Sequence, residues 1–286
     1  MIPQSLRDHL HDEHSIEIEN EHRISGGDIN QSYKISTNRG EFFLKLNTDV
    51  PPDFFEKEKE GLNEMRKSDS GLIIPEVIAV GRPKTDQPGF LLLEFIKEST
   101  KGNSFHFGAE LAKLHKNEGP SFGFSSNNYI GRLPQSNHNH KSWSDFFIQE
   151  RINPQLKLAV DSGKLSINLK TSADRLAKKL DDLFPPCRPS LLHGDLWGGN
   201  YLFNESGQGV LIDPAVYYGH PEMDLAFTHM FGGFSKEFYH GYESITSLEP
   251  GFNDRIPIYN LYPLFVHANL FGGHYISQVE HQLKRF

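Results

Sequence analysis

The octapeptide HGDLWGGN, residues 193–200, brings together side chains that could hold a cation and accept a proton. It contains Asp195 and Asn200, and the segment LIDPA supplies Asp213 a short distance later. Carboxylate and amide oxygens are ligands for hard cations such as Mg²⁺, which takes few protein ligands and keeps its other positions for phosphate and water. Asp, Asn and Gly are also frequent in turns, so the composition alone leaves ordinary loop chemistry open.

The residues between Asn200 and Asp213 predict how the two come together. The apolar stretches 201–203 and 210–212 flank NESGQG, which has the composition of a hairpin turn. The spacing from His193 through Asp195 to Asn200 matches the H-R-D-x-x-x-x-N loop of kinases. In phosphoryl transfer Asp195 would accept the hydrogen bond or proton of a substrate hydroxyl, while Asn200 and Asp213 would hold Mg²⁺ across the phosphates.

A lysine and a glutamate earlier in the chain fit the nucleotide side of the same chemistry. FFLKLN, residues 42–47, has strand alternation and places Lys45 among apolar neighbours, although a lysine exposed at the sheet surface is the simpler alternative. At helical spacing Phe55, Glu58, Leu62 and Met65 share one stripe. A carboxylate on an apolar face needs a partner, and Lys45 is available. An ordinary solvated helix remains open.

Two further segments could contact a nucleotide. SGGDINQSYKI contains Gly26 and Gly27 between two predicted strands, where kinases place a loop over the phosphates, but the turn is common in any β protein. GFLLLEFI ends with Glu94, Phe95 and Ile96, which would offer backbone groups to adenine. A buried strand with one polar residue is the alternative for this segment.

Bulk composition excludes several classes of protein. The chain has 286 residues, a net charge of −8 and no dense Lys/Arg cluster, which argues against a nucleic-acid partner. Its single cysteine, Cys187, excludes an intrachain disulfide and a cysteine-based zinc site. The N-terminus lacks a signal-peptide pattern, and the longest apolar stretch is too short to cross a bilayer. We therefore expect a cytoplasmic protein without a membrane partner.

Periodicity predicts a bilobal α+β fold. Turn signals at SGGDIN and NRG separate three antiparallel strands, followed by a helix over Pro52–Lys67 and two more strands. Helical spacing dominates after Ile96. We expect a small β lobe with one helix over residues 1–96 and a larger, mainly helical lobe over residues 97–286. A cleft between lobes is a favoured place for a ligand.

These motifs together resemble the fructosamine kinase (ketosamine-3-kinase) family, which is related to aminoglycoside phosphotransferases and choline kinases. The segments that carry the resemblance are GGDINQSYK, FLKLN, the start of the helix at Phe55, FGF with NNYIG and PQ, FF with RINPQL, HGDLWGGN and EMDLAFTHMFGGF. The resemblance implies a protein-kinase-like fold and ATP-dependent phosphorylation of a sugar hydroxyl on a ketosamine, an amine or protein lysine carrying a rearranged sugar, as in protein deglycation repair.

Carried over residue by residue, the resemblance makes Lys45 and Glu58 the nucleotide-side ion pair and Asp195 the catalytic base. Asn200 and Asp213 would be the magnesium ligands, and residues 94–96 would touch adenine. Relative to protein kinases, Gly194 replaces Arg, D-P-A replaces D-F-G, and the chain lacks an A-P-E segment. We therefore expect neither a phosphorylation-regulated activation loop nor a protein hydroxyl as substrate.

Three aromatic residues, Tyr129, Trp143 and Trp197, are candidates for walls around the sugar or its amine substituent, and Asp224 is interpreted as a helix N-cap. Two other functions stay open. One is a kinase of another small molecule, such as an amino alcohol, an antibiotic or a free sugar. The other is a nucleotide-binding module without turnover, although such modules usually lack one of the five charged or amide residues present here.

Overall fold

The computed structural model describes residues 1–24 and 29–286. Gly26 and Gly27, predicted to lie over the nucleotide phosphates, fall outside the described residues. All the other predicted site residues lie within them.

The N-terminal part of the chain forms an antiparallel sheet of five strands. The strands are β1 (Ile18–Ile24), β2 (Gln31–Thr37), β3 (Gly40–Asn47), β4 (Val77–Gly81) and β5 (Gly89–Glu94). Their order in the sheet is β1-β2-β3-β5-β4. The predicted three-stranded meander is confirmed, and its register pairs Ser32 with Lys45 and Lys45 in turn with Leu91. Lys45 thus occupies a central strand.

Two helices accompany this sheet. The first, α1 (Gln4–His14), buries Leu6 and Leu10 completely against the outer side of the sheet. Sequence analysis missed α1 because polar residues dominate it, although the i, i+4 spacing of its two leucines is a helical signal. The second, α2 (Phe54–Arg66), was predicted with slightly wider bounds.

The remainder of the chain is mainly helical, with short strands between the helices. Its elements are β6 (Glu98–Ser99), α3 (Ser104–His115), β7 (Asn128–Ile130), β8 (Leu133–Gln135), α4 (Trp143–Phe146), a π-helix (Phe147–Ile152), α5 (Asn153–Asp161), α6 (Leu169–Ala177), α7 (Leu180–Leu183), β9 (Ser190–Leu192), β10 (Tyr201–Asn204), β11 (Gly209–Leu211), β12 (Tyr217–Gly219), α8 (Glu222–Thr228), α9 (Lys236–Glu243), α10 (Phe252–Tyr259), α11 (Leu261–Phe271) and α12 (His274–Leu283). The predicted bilobal α+β fold is confirmed. No helix within the described residues is both long and apolar enough to cross a bilayer.

The larger hydrophobic core joins α2 to the helical part of the chain. It contains Phe55 and Leu62 of α2 together with Leu211 and Val216. The Ile73 N–H donates to the Gly209 carbonyl at 2.9 Å, and the Ile73 carbonyl accepts the Leu211 N–H at 3.0 Å, which connects the segment before β4 to β11. The core therefore fixes α2 against the hairpin that follows the octapeptide. The lobe boundary after residue 96 stays a prediction.

Candidate active site

The hairpin β10–β11 brings two of the predicted metal-binding residues together. Its register pairs Tyr201 with Leu211, and the Ile212 N–H donates to the Asn200 carbonyl at 3.1 Å. Asp213 therefore follows directly after a residue bound to Asn200, as the turn composition predicted. Asp213 adopts φ 55°, a conformation that non-glycine residues adopt rarely and that is most often retained at functional sites.

His193 connects the octapeptide to the Asp213 segment. It is fully buried, its Nδ1 accepts the Asp195 N–H at 3.2 Å, and its Nε2 donates to the Ile212 carbonyl at 2.9 Å. Burial lowers the pKa of His193, so the imidazole is neutral and its two nitrogens have opposite hydrogen-bonding roles. This histidine therefore fixes the distance between Asp195 and Asp213 and is not free to exchange protons.

Gly194 explains why arginine cannot stand at this position of the loop. Its φ is +83°, and an added Cβ would lie 2.1 Å from the Ala215 carbonyl oxygen. A side chain would therefore be both strained and in collision with the backbone just after Asp213. The D-P-A segment and the octapeptide can pack this closely only because the residue between His193 and Asp195 is glycine.

Asp224 fixes the start of the octapeptide through hydrogen bonds to its backbone, a role that was not predicted from the sequence. Its carboxylate accepts the His193 N–H at 2.7 Å and the Gly194 N–H at 2.9 Å, and His115 Nε2 lies 3.2 Å away. Burial alone would raise the pKa of Asp224, but His115 and the two amide groups outweigh it and hold the pKa low. The predicted N-cap role is wrong, because Pro221 is the N-cap and Asp224 lies inside α8. A buried Asp within an apolar helical run was the available signal.

Asp195 lies where a base is needed and is only weakly acidic. Burial, with Asp213 nearby as the second cause, raises the pKa of Asp195 to about 7. The Asn200 Nδ2 group opposes this shift by donating to the Asp195 carboxylate at 3.0 Å and to its carbonyl at 2.8 Å. A carboxylate with a pKa near neutrality is basic enough to accept a proton from a hydroxyl group. It is also ionised in a large fraction of the molecules at neutral pH.

The predicted ion pair between Lys45 and Glu58 is present. The Lys45 side chain is only 3% exposed, its Nζ lies 2.5 Å from Glu58, and it also contacts Asp213. Burial opposes the charged ammonium, but Asp213 and Glu58 outweigh it and raise the pKa of Lys45. Burial also raises the pKa of Glu58, and the nearby Asp213 carboxylate adds to this rise while Lys45 opposes it. The alternative of a lysine exposed at the sheet surface is wrong.

A single cavity of about 520 Å³ connects these groups. Its lining includes five of the eight described site residues that sequence analysis predicted, namely Lys45, Glu58, Asp195, Asn200 and Asp213. The other three, Glu94, Phe95 and Ile96, lie at the end of β5, outside the lining of this cavity. Their contact with adenine stays a prediction.

Two of the three predicted aromatic walls line the cavity. Tyr129 and Trp197 do so, and Trp197 is 38% exposed. The prediction for Trp143 was wrong, because its side chain is buried among Phe122, Phe146 and Phe147 in the core. A tryptophan directly after SNHNHKS cannot be assigned to core or cavity from local composition.

The donor set fits Mg²⁺ with phosphate as co-ligand. Asn200 uses its Nδ2 group on Asp195, which leaves its amide oxygen, and the Asp213 side chain is 45% exposed toward the cavity. Within residues 1–24 and 29–286, no group of three His, Cys, Asp or Glu side chains could hold a metal. Two oxygen ligands beside an open cavity are what a magnesium site shared with a nucleotide requires.

Comparisons with known proteins agree with this geometry. A family model described as fructosamine kinase matches residues 2–286. The chain belongs to the fructosamine kinase family. A probable ketoamine kinase of Vibrio parahaemolyticus is 41% identical over 283 residues, covering 98% of this chain and 96% of its own. The chloroplastic protein-ribulosamine 3-kinase of Arabidopsis thaliana is 35% identical over 260 residues, covering 89% of this chain and 78% of its own.

Solved structures give the same fold for this fructosamine kinase family member. A crystal structure assigned as a fructosamine-3-kinase from Thermobifida fusca superposes with a TM-score of 0.85 at 29% identity, covering 98% of this chain and 97% of its own. An aminoglycoside phosphotransferase, APH(4)-Ia, in a ternary complex with AMP-PNP and hygromycin B, gives 0.64 at 16% identity over 98% of each chain and supports the fold alone. The predicted family, the kinase class and the protein-kinase-like fold are confirmed.

Proposed function

We propose that this protein transfers the γ-phosphoryl group of ATP, with Mg²⁺, to a sugar hydroxyl of a ketosamine. One observation carries the proposal: the cavity places Asp195 together with the Lys45–Glu58 pair and the oxygen donors Asn200 and Asp213. The names of the relatives, ketoamine kinase and protein-ribulosamine 3-kinase, support the acceptor class. Phosphorylation of the sugar is a first step for removing it from an amine, consistent with a role in deglycation repair.

The chain supplies positioning and charge more than covalent chemistry. Lys45, oriented by Glu58, would bind phosphate oxygens, and Asn200 and Asp213 would hold Mg²⁺, which neutralises phosphate charge when bound. Asp195 would accept the hydrogen bond of the acceptor hydroxyl and take its proton as the bond to phosphorus forms. Asn200 donates to Asp195 and thereby keeps the carboxylate aimed into the cavity. Most of the rate enhancement would come from holding the two reactants in line.

Two further contacts of the nucleotide, to its base and to its phosphates, are proposed from the sequence. We propose that the backbone of Glu94, Phe95 and Ile96 binds adenine and that the Gly26–Gly27 turn lies over the phosphates. The division into a nucleotide lobe, residues 1–96, and a catalytic lobe, residues 97–286, belongs to the same proposal. Its support is the position of Lys45 on the central strand β3, next to β5, which ends at Glu94.

A substrate panel with a matched variant tests the function. Wild type is assayed for phosphate transfer from ATP·Mg²⁺ to a ribulosamine, a fructosamine, an aminoglycoside, choline and a free ketose, and the phosphorylated position is mapped. We expect turnover with ketosamines, reduced by about 10³-fold in Asp195→Asn, as for loss of a general base. Equal rates in wild type and Asp195→Asn would refute the role of Asp195, and turnover restricted to another acceptor would replace the substrate class.

A further inference from the structure

Three aromatic residues of this chain are each followed by two glycines. The segments are Trp197-Gly-Gly in the octapeptide, Phe231-Gly-Gly after α8 and Phe271-Gly-Gly between α11 and α12, and they account for three of the four Gly-Gly pairs in the sequence. The segments are far apart along the chain and belong to different elements. The catalytic chemistry described above uses none of the three rings as a reacting group.

The fold gathers the three rings at one place. All three line the cavity that contains Asp195, and they are 38%, 42% and 49% exposed in chain order. Trp197 and Phe231 meet edge to face with ring centroids 5.9 Å apart. His267 lies between Phe231 and Phe271, at 5.0 and 5.6 Å from their ring centroids. We refer to Trp197, Phe231 and Phe271 as the aromatic collar.

The glycines explain how such large apolar rings stay exposed at a cavity. An added Cβ on Gly199 would lie 2.3 Å from the Trp197 ring, so glycine is required for that ring position. Gly272 and Gly273 have φ of +68° and +60° and separate α11 from α12, leaving Phe271 at the exposed end of a helix. Elsewhere in the described residues, only one other Phe or Trp side chain, Phe105, is as exposed.

The collar has the chemistry of a site for an alkylated ammonium group. Aromatic faces attract cations and also remove apolar groups from water. His267 donates from Nδ1 to the Pro263 carbonyl at 2.7 Å, and burial lowers its pKa, so the ring beside the collar is neutral and does not repel a cation. An acceptor whose hydroxyl is at Asp195 must extend away from the phosphates, and the collar residues line that same cavity.

We propose that the aromatic collar binds the amine-borne part of the acceptor, namely the secondary ammonium and an apolar or aromatic group attached to it. This inference rests on the proposed function, because it assigns a subsite within the same cavity. The occupant is a low-molecular-weight ketosamine, because the collar rings line one cavity of about 520 Å³, a volume suited to a small ligand. Selectivity among ketosamines then depends on what the nitrogen carries.

Two ketosamines of the same sugar test the subsite, one made from benzylamine and one from ethanolamine. Both carry a secondary ammonium, and only the first carries an aromatic group. We expect wild type to favour the benzyl compound by roughly fivefold or more in kcat/KM, through KM. Phe231→Ala and Phe271→Ala should each raise KM for the benzyl compound by roughly fivefold to twentyfold. They should raise KM for the hydroxyethyl compound by a smaller factor, about twofold to threefold, because that compound loses only the ring contact of its ammonium.

Phe105→Ala is the matched control, since it removes an equally exposed phenylalanine that does not line the cavity. Phe105→Ala should leave kcat and KM for both ketosamines unchanged. KM for ATP should be unchanged in Phe105→Ala, Phe231→Ala and Phe271→Ala. Equal use of the two ketosamines by wild type, or equal losses on both in the collar variants, would overturn the subsite while leaving the proposed function intact. Turnover of neither ketosamine by wild type would instead refute the proposed function and the subsite with it.

Discussion

The two ends of the cavity are built on different physical principles. The end that we propose to bind the nucleotide, called the nucleotide end, consists of charged and amide groups that contact one another, as Lys45 contacts Glu58 and Asp213. The end that we propose to bind the acceptor, called the acceptor end, has half-exposed aromatic rings such as those of Phe231 and Phe271. Each of these two residues is followed by two glycines. One end is therefore preorganised for a constant reactant, whereas the other is an apolar surface that can take groups of different shape.

This difference separates the expected effects of substitutions. Substitutions of the charged residues at the nucleotide end should change kcat/KM for ATP by the same factor with every acceptor. These residues do not contact the part of the acceptor that varies. Collar residues should alter acceptor kinetics and leave those for ATP unchanged. The predictions below test whether the two ends are independent in this way.

The largest effect on stability is expected from Lys45→Met. The substitution removes the ammonium between two carboxylates, and a buried pair broken on one side destabilises a protein by about 3–5 kcal/mol. We expect the free energy of unfolding in urea to fall by roughly that amount. We also expect kcat/KM for ATP to fall by about 100-fold, equally with both ketosamines, since the phosphates lose a bound cation.

Lys34→Met is the control for Lys45→Met. Lys34 lies on the neighbouring strand β2 and pairs with Glu41 at 2.6 Å, but its side chain is 29% exposed. Partly exposed ion pairs contribute about 0–1 kcal/mol, so its loss should be small. The Lys34 ammonium also lies over the Phe95 ring, so the two variants are compared in stability alone. If both methionine variants lost similar free energies of unfolding, the interpretation of Lys45 as the cation of a preorganised buried cluster would be wrong.

The next effect concerns the close packing of the octapeptide against the D-P-A segment at Gly194. Gly194→Ala places a Cβ against the Ala215 carbonyl, so the octapeptide and the D-P-A segment must separate. Gly163 also has positive φ, +70°, but has open space around its Cβ position. Gly163→Ala should therefore cost only about 1–2 kcal/mol for the left-handed conformation, measured by urea unfolding, with activity unchanged.

Gly194→Ala should cost more than that control, about 2–4 kcal/mol, because overpacking adds to backbone strain. It should also abolish most phosphate transfer. If both alanine variants lost equal stability and stayed active, close packing of the octapeptide against Ala215 would not be needed for catalysis.

The same contrast explains how much could be predicted from sequence. Lys45 and Glu58 were predicted because a charged residue on an apolar face needs a partner, and strand and helix periodicity shows which way each faces. Asp195, Asn200 and Asp213 were predicted from the spacing of the kinase loop and from the hairpin between the last two. The fold followed from turn signals and helical spacing. These features are local, so the sequence displays them directly.

The acceptor end could not be predicted in this way. Trp143 and Trp197 both lie in polar contexts, yet one is buried in the core and the other lines the cavity, because distant helices decide which ring is covered. Asp224 was misassigned because its partners, the backbone of His193 and Gly194, lie about thirty residues earlier. Burial of an aromatic residue is a property of the whole fold, so local composition does not determine it.

A smaller effect tests the charge balance at Asp195 through stability. Because burial and Asp213 raise the pKa of Asp195 to about 7, the folded protein binds this proton more tightly than the unfolded chain. Stability from the bound proton is present at low pH and is lost as pH rises through about 7. Asp195→Asn is neutral at every pH, so it should be more stable than wild type at pH 8.

The stability gap between Asp195→Asn and wild type should shrink as pH falls from about 7 toward 4, as measured by urea unfolding at several pH values. Asp86→Asn, on an exposed turn, should show no such trend. A gap that did not depend on pH would contradict the raised pKa of Asp195. It would also contradict the excess of negative charge that Asp195 and Asp213 give to this part of the cavity.

The smallest effect is expected where the two ends meet, at Tyr129. Its ring lines the cavity and its hydroxyl donates to Asp53 at 2.7 Å, just before α2, the helix that carries Glu58. Tyr129→Phe keeps the ring and removes the hydrogen bond. We expect a loss of about 1 kcal/mol in the free energy of unfolding and a twofold to fivefold rise in KM for ATP, measured by steady-state kinetics. KM for either ketosamine should stay unchanged, because the ring is still present.

A change in KM for the ketosamines with KM for ATP unchanged would contradict this expectation. The Tyr129 hydroxyl would then act on the acceptor end, and the two ends would not be separable at this residue.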